Sequence, residues 1–221
     1  MNNLENPRPI ENDGEMHLAC AVVIDTSGSM KGCEQALLQA IEEMKETIME
    51  NDTARGSVEL CLITFDDTAR IVQPFGSMYQ FEPPRYISCD GMTSTHAAIR
   101  MAIDECNNRK AFYKANNVSY RQPWIWLFTD GGSNDSDNGS FNELLQMQND
   151  KKLTFNGVGI GNGINAEELK GMHKNHRMLR VSKEDFKSAI EFLSASLVVT
   201  SKSKVDEKVT VTVPQQIVIE C

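Results

Sequence analysis

Four strand-length runs, each followed by a turn and then by a stretch of helical periodicity, constrain this chain more than any other feature. They are LACAVVID (Leu18–Asp25), SVELCLITF (Ser57–Phe65), PWIWLFTD (Pro123–Asp130) and LTFNGVGIG (Leu153–Gly161). A run that is apolar at nearly every position suits a strand buried on both faces rather than one half-exposed to water. Between the runs, Leu37, Ala40, Ile41, Met44 and Ile48 recur at steps of three and four, the mark of an amphipathic helix. Thr95–Asn108 reads as a second helix with Ala98, Met101, Ala102 and Cys106 inside, and Phe141–Gln148 as a third. A short helix near Ala166–Met172, a small strand RMLRV and a last helix carrying Phe186, Ile190, Leu193 and Leu197 continue the alternation. Strands alternating with helices predict an α/β fold: a doubly wound, mostly parallel central sheet with helices on both faces. One departure is expected after Phe65, where Asp66-Asp67 reads as a hairpin turn into TARIVQPF.

A chain of 221 residues has room for one large domain with appendages. Residues 1–16, with Pro7, Pro9 and Gly14, read as a flexible lead-in, 17–200 as the α/β domain, and 201–221 as a C-terminal β extension. In that extension VTVTVPQQIVIE alternates valine with threonine before Pro214, the pattern of an edge strand or hairpin at the sheet margin.

Charge narrows the partners. With 22 Lys+Arg against 31 Asp+Glu the net charge is −9, which argues against a nucleic-acid binder and leaves little electrostatic attraction for an anionic membrane. A divalent cation or a basic surface suits that sign better. No apolar run approaches the ~20 residues of a membrane span, and MNNLENPRPIENDGEMH lacks the basic-then-apolar order of a secretory signal. The 6 cysteines (Cys20, Cys33, Cys61, Cys89, Cys106, Cys221) form no C-x-x-C pair, and no C-a-a-X arrangement surrounds the last of them. Free, mostly buried thiols in a reducing cytoplasm are the expectation.

In open α/β sheets, ligands gather at the carboxyl ends of the strands, near the point where strand order reverses. Three oxygen-bearing clusters fall at such ends: Asp25, Ser27 and Ser29 in DTSGS after the first strand, Thr93 in the loop DGMTSTH before the second helix, and Asp130 at the end of the tryptophan-bearing strand. Two carboxylates and three hydroxyls make an all-oxygen set, which hard cations such as Mg²⁺ prefer. Taken alone, the DTSGS triplet is as well explained by helix capping, since Asp and Ser are favoured caps. Thr93 and Asp130, each at the expected place in a distant loop, tip the reading toward metal.

This constellation resembles the von Willebrand factor type A domain and its metal-ion-dependent adhesion site, through DTSGSMKG, GMTSTHAAI, FTDGGSND and FNGVGIG in order, over roughly Met16–Leu197. Finer features, ITFDDTARIV, PPR before the threonine loop, RQPWIWLFTDG and a serine-rich helix before a valine-rich strand, look closer to the bacterial TerY-like branch associated with tellurite resistance. The resemblance implies that Ser27 and Ser29 bind Mg²⁺ directly, with Mn²⁺ or Ca²⁺ as substitutes. It implies Thr93 as a direct or water-mediated ligand, and Asp25 and Asp130 acting largely through water and hydrogen bonds. It further implies a non-catalytic module that docks an Asp or Glu of a partner protein on the metal, as a scaffold in a bacterial stress system. The loop after Asp130 departs from the pattern, being longer and more acidic (Asp135, Asp137), which leaves partner preference open.

The competing reading is a Mg²⁺-dependent phosphohydrolase with Asp25 as nucleophile. Haloacid-dehalogenase-type enzymes carry a second Asp two positions on, where this chain has Ser27, and no lysine-bearing phosphate loop or Ser-His-Asp order appears. Other conspicuous residues read as structure. His173 and His176 lack a third ligand and suit a surface helix; His96 begins a helix; Trp124 and Trp126 pack in the core. Asp90 is a weak candidate to support Thr93 from behind.

Overall fold

The computed structural model describes residues 15–203 and 210–221; residues 1–14, most of the expected lead-in, lie outside them. One sheet contains β1 (Leu18–Asp25), β2 (Val58–Phe65), β3 (Ala69–Ser77), β4 (Trp124–Thr129), β5 (Thr154–Ile160), β6 (Met178–Val181) and β7 (Val218–Glu220). Their spatial order is β3-β2-β1-β4-β5-β6-β7, with β1, β2, β4, β5 and β6 parallel and the two margin strands antiparallel. Strand order reverses between β1 and β4, so the carboxyl ends of these two strands flank the switch point.

The helices are α1 (Glu34–Met49), α2 (Asp52–Ser57), α3 (Thr95–Ala115), α4 (Ser140–Asn149), α5 (Ala166–Gly171) and α6 (Phe186–Lys202). Side-chain alternation on β1 divides the core between two layers. Leu18, Cys20, Val22 and Ile24 pack with Leu37, Ile41 and Met44 of α1 and Phe186, Ile190 and Leu193 of α6. Ala19, Ala21 and Val23 pack with Ala98, Ile99, Ala102 and Ile103 of α3 and with Leu144 of α4. A strand with a helix layer on each side has no solvated face, which is why its sequence is apolar throughout. Trp126 lies in the α1/α6 layer with its ring edge-on to Phe192 at 5.9 Å, and Trp124 packs at the border of that layer.

Three local expectations are revised. Helix α3 continues past Asn108 to Ala115, because Arg109 and Tyr113 turn inward and bury against the sheet, a purpose the polar text NNRK conceals. Helix α2 is additional, nucleated by the Asn51 side chain accepting from the Ala54 amide at 3.0 Å. The strand of the C-terminal extension is Val218–Glu220, beyond Pro214, while the Val-Thr alternation from Thr210 to Val213 pairs with nothing in the sheet. Helix α6 runs through Lys202. Among the described residues no helix is long and apolar enough to cross a membrane, and all 6 cysteines are free, with Cys20, Cys61, Cys89 and Cys106 buried.

Candidate functional site

β1 ends at Asp25, whose carboxylate is completely sealed from solvent. Its Oδ1 accepts from the Ser27 amide at 2.8 Å and its Oδ2 from the Thr129 hydroxyl at 2.6 Å. Asp25 is thereby fixed between the turn it begins and the end of β4. Burial carries its carboxyl above the usual aspartate value, the Asp130 charge adds to the rise, and the hydrogen bonds from Ser27 and Thr129 oppose it.

The chain then makes a single 3₁₀ turn, Gly28–Met30. That turn brings the hydroxyls of Ser27 and Ser29 to 3.1 Å from each other, and the Ser29 hydroxyl donates to Asp130 Oδ1 at 2.5 Å. The Gly28 amide donates to the Gly91 carbonyl at 3.0 Å, lacing the first loop to the loop that carries Thr93. Gly91 has φ +75, and a Cβ there would meet the Asp67 carboxylate at 2.8 Å, so both its handedness and its neighbour exclude a side chain.

Thr93 is buried, its amide donating to Asn134 Oδ1 at 3.1 Å and its carbonyl accepting from the Asn134 amide at 2.8 Å. Its hydroxyl would stand 3.7 Å from a Cβ at Gly131, the residue following Asp130. The structure therefore brings the five sequence-predicted residues Asp25, Ser27, Ser29, Thr93 and Asp130 to one edge of the sheet. Four are chained by hydrogen bonds, and Thr93 is set beside the fourth by its loop.

Several contributors escaped sequence reasoning. Lys183, from the turn between β6 and α6, places its ammonium 2.7 Å from Asp130 Oδ2 and donates to the Ser29 carbonyl at 2.7 Å. Nothing in the local sequence marks a lysine that lies so far along the chain. Asp67 holds the threonine loop: its Oδ1 accepts from the Met92 amide at 2.8 Å and its carbonyl from the Ser94 hydroxyl at 2.8 Å. That is the supporting role assigned to Asp90, which instead is exposed and pairs with Lys31 at 3.2 Å. The acidic loop after Asp130 is also spoken for in part. Asp135 caps α3, accepting from the amides of His96 and Ala97 at 3.1 and 2.8 Å, where the helix dipole favours a carboxylate. His96 stacks on Phe141 with ring centroids 3.8 Å apart. Thr129 was legible in principle, standing directly before Asp130 in FTD.

The donor set fits a hard divalent cation. Bonds of about 2.1 Å in an octahedral shell put neighbouring oxygens about 3 Å apart, and the Ser27–Ser29 and Ser29–Asp130 spacings of 3.1 and 2.5 Å bracket that value. The Lys183 ammonium, a cation already set against Asp130 and Ser29, shows that the local field favours positive charge. Among the described residues no cluster of three or more His, Cys, Asp or Glu is gathered, so hydroxyls are indispensable to any such site. His173 and His176 form no pair of ligands. His173 is buried in the turn after α5 and accepts from the Asn175 amide at 3.0 Å, while His176 is exposed 3.6 Å from Glu167.

A mostly parallel sheet whose switch point carries two carboxylates and three hydroxyls from three loops defines a class of α/β domain built to present oxygen at its carboxyl edge. The chain belongs to the von Willebrand factor type A domain family, whose sequence model matches residues 20–195. An uncharacterized protein of Synechocystis sp. is 27% identical over 167 residues, covering 73% of this chain and 36% of that protein. Among solved structures, proximal thread matrix protein 1 from the mussel byssus, with a zinc-occupied metal-ion-dependent adhesion site, is 17% identical with a TM-score of 0.58. That alignment covers 82% of this chain and 48% of the mussel protein. The corresponding domain of the type V pilus tip protein Mfa5 from Porphyromonas gingivalis is 12% identical with a TM-score of 0.60, covering 89% and 99% of the two chains. At these identities the likeness is one of fold. The chain spans about half or less of the Synechocystis and mussel proteins.

Proposed function

We propose that this chain is a non-catalytic interaction module that holds a divalent cation, Mg²⁺ in the first instance, and docks an acidic residue of a partner protein on it. The observation that carries the reading is the convergence of Ser27, Ser29, Thr93, Asp25 and Asp130 at the switch point, with hydroxyl and carboxylate oxygens at octahedral spacing. The mussel relative with zinc in its adhesion site supports it.

Ser27, Ser29 and Thr93 would hold the cation directly, with Asp25 and Asp130 orienting hydroxyls and water. When bound, the cation supplies a Lewis-acidic position that favours an anionic oxygen. Because the three direct donors are neutral, that position would keep its appetite for charge, and a partner Asp or Glu satisfies it. Asp25 is poorly disposed as a nucleophile, since both its oxygens accept hydrogen bonds and it has no solvent exposure. This weighs against the phosphohydrolase reading. The TerY-like sequence features support a scaffold in a bacterial stress or tellurite-resistance-type system, working in the cytoplasm. Calorimetric titration with Mg²⁺ and Mn²⁺ tests the site, and Ser27→Ala or Thr93→Ala protein should bind neither. Partner capture should vanish in chelator and return with either ion; capture that is indifferent to chelator would sink the proposal.

A further inference from the structure

At the opposite, amino-terminal end of β4 and β5 lies a cleft of about 280 Å³ lined by Gln122, Thr154, Asn156, Lys151, His173, Lys174 and Arg177 among others. In a chain of net charge −9 this cleft has three cationic side chains and no acidic one. Among the described residues, none of Lys151, Lys174 and Arg177 is paired with a carboxylate, whereas neighbouring Lys152 and Lys170 are paired with Asp150 and Glu167.

His173 shows what the cleft lacks. Its residue is 7% exposed. Its Nδ1 lies 3.0 Å from the Asn175 amide and its Nε2 lies 3.3 Å from Arg177 Nε, and both neighbours are N–H donors. A neutral imidazole has one accepting nitrogen and one N–H; a protonated one has two N–H groups and no acceptor. The two contacts therefore cannot both be hydrogen bonds. The backbone amide is the shorter and cannot turn away, so Nδ1 accepts and Nε2 carries the proton. With Nε2 protonated, the Arg177 N–H loses the acceptor it points at, and among the described residues no other hydrogen bond is made by either N–H. Burial and the charges of Arg177 and Lys174 hold the ring neutral, pushing its pKa down to about 4. Among the described residues, the carbonyls at the helix ends nearby accept from other donors. The Met147 and Gln148 carbonyls accept from the Lys152 and Lys151 amides, and the Met172 carbonyl accepts from Gln148 Nε2 at 2.7 Å.

We infer that this cleft is an oxyanion site, large enough for phosphate, in which the Arg177 guanidinium turns from the His173 ring to the anion, His173 Nε2–H donates a second hydrogen bond, and Lys151 and Lys174 neutralise the remaining charge. Charge-assisted bonds of this kind, with a guanidinium as one arm, are the strong ones. The site is at the other end of the sheet from Asp25 and Asp130, so its occupancy owes nothing to a divalent cation.

The experiment is a titration of ¹⁵N-labelled full chain with inorganic phosphate at pH 7 in the presence of chelator, following the Arg177 Nε–H and Asn175 amide signals. Saturable shifts below about 10 mM phosphate are expected. Arg177→Gln and the exposed Lys174→Gln should each weaken binding, the former by about tenfold or more, the loss of one charged hydrogen bond. Both variants must retain the wild-type pattern of dispersed amides, and Lys174→Gln serves if Arg177→Gln does not. A phosphoserine-containing peptide in place of phosphate distinguishes the sources. Tighter binding of the peptide assigns the site to a phosphorylated protein, and equal binding assigns it to the free anion. Absent or non-saturating shifts, shifts unchanged in both variants, or shifts that require added Mg²⁺ would overturn the inference.

Discussion

Glu59 and Asp25 sit on neighbouring parallel strands, both hidden from solvent, at opposite ends of the sheet. Near the amino end, Glu59 is compensated from within: Arg109 Nε donates to its Oε2 at 2.5 Å, and His17 Nδ1 lies 2.9 Å from its Oε1. Arg109 is as buried as its partner and is further packed over the rings of Phe112 and Tyr113. At the carboxyl end, Asp25 receives hydrogen bonds but, among the described residues, no ion pair, and the neighbouring Asp130 is matched by Lys183, whose side chain is 40% exposed. The same burial thus has two different consequences. A carboxylate neutralised by a sealed arginine is part of the structure. A carboxylate pair neutralised by one half-solvated lysine is a place where another cation can enter.

The contrast breaks most visibly at Arg109. Arg109→Met leaves Glu59 buried without its guanidinium partner, and should cost about 3–5 kcal/mol of folding stability in urea titration. If the variant loses less than about 1 kcal/mol, the amino-end pair is no more structural than a surface bridge.

Asp130→Ala should do the reverse. Lys183 can return to water and Ser29 keeps Ser27 as a partner, so stability without metal should change by no more than about 1 kcal/mol. Divalent-cation affinity should fall about hundredfold, as when a group orienting metal ligands is removed. Unaltered Mg²⁺ binding by calorimetry would place the cation elsewhere.

His173 sharpens the comparison from the amino end. Its folded pKa of about 4 lies below the unfolded value near 6.5, so the folded state binds fewer protons in that interval. Stability due to this group is full above about pH 6.5 and is lost as pH falls toward 4. The charges facing it are Arg177 and Lys174, both repelling its protonated form. Wild type should lose about 2 kcal/mol more than His173→Gln between pH 7 and 4.5, less than the full shift implies because the ring borders an open cleft. Parallel pH profiles for the two proteins would show that the ring already titrates normally.

The central strands were legible because a doubly covered sheet imposes an unbroken apolar code, and α1 because its five inward residues keep strict helical spacing. The candidate positions were readable because strand ends locate ligands in such a sheet: Asp25 closes β1, Ser27 and Ser29 follow it, Asp130 follows β4, and Thr93 stands in the loop before α3. What was hidden depends on groups whose meaning is set by distant partners. Arg109 looks solvated until Glu59 is across from it. Asp67 looks like turn chemistry until Met92 and Ser94 bond to it, and Lys183 is an ordinary turn lysine until β6 delivers it to Asp130. The extension did yield an edge strand at the sheet margin, but among the described residues its pairing falls at Val218–Glu220, beyond Pro214, because the alternating Val-Thr text is a local signal that does not fix a partner.

The smallest effect concerns Lys183 itself. Its ammonium contacts Asp130 Oδ2 and the Ser29 carbonyl, beside the oxygens a divalent cation would need. Contact with Asp130 raises its pKa, so it stays charged through the neutral range and does not withdraw by losing a proton. Binding of a divalent cation then requires the ammonium to leave for water, against the attraction of Asp130. Because the side chain is 40% exposed, solvent screens that attraction and the exchange costs little, on the order of 1 kcal/mol. Lys183→Met should therefore raise Mg²⁺ affinity about three- to tenfold in calorimetry. It should leave stability without metal nearly unchanged, unlike Arg109→Met. Lys183→Arg, which keeps the charge, should show no gain. Equal Mg²⁺ affinity in wild type and Lys183→Met would mean that the lysine and the cation use separate oxygens. A large loss of stability would mean that Lys183, like Arg109, belongs to the frame rather than to the site.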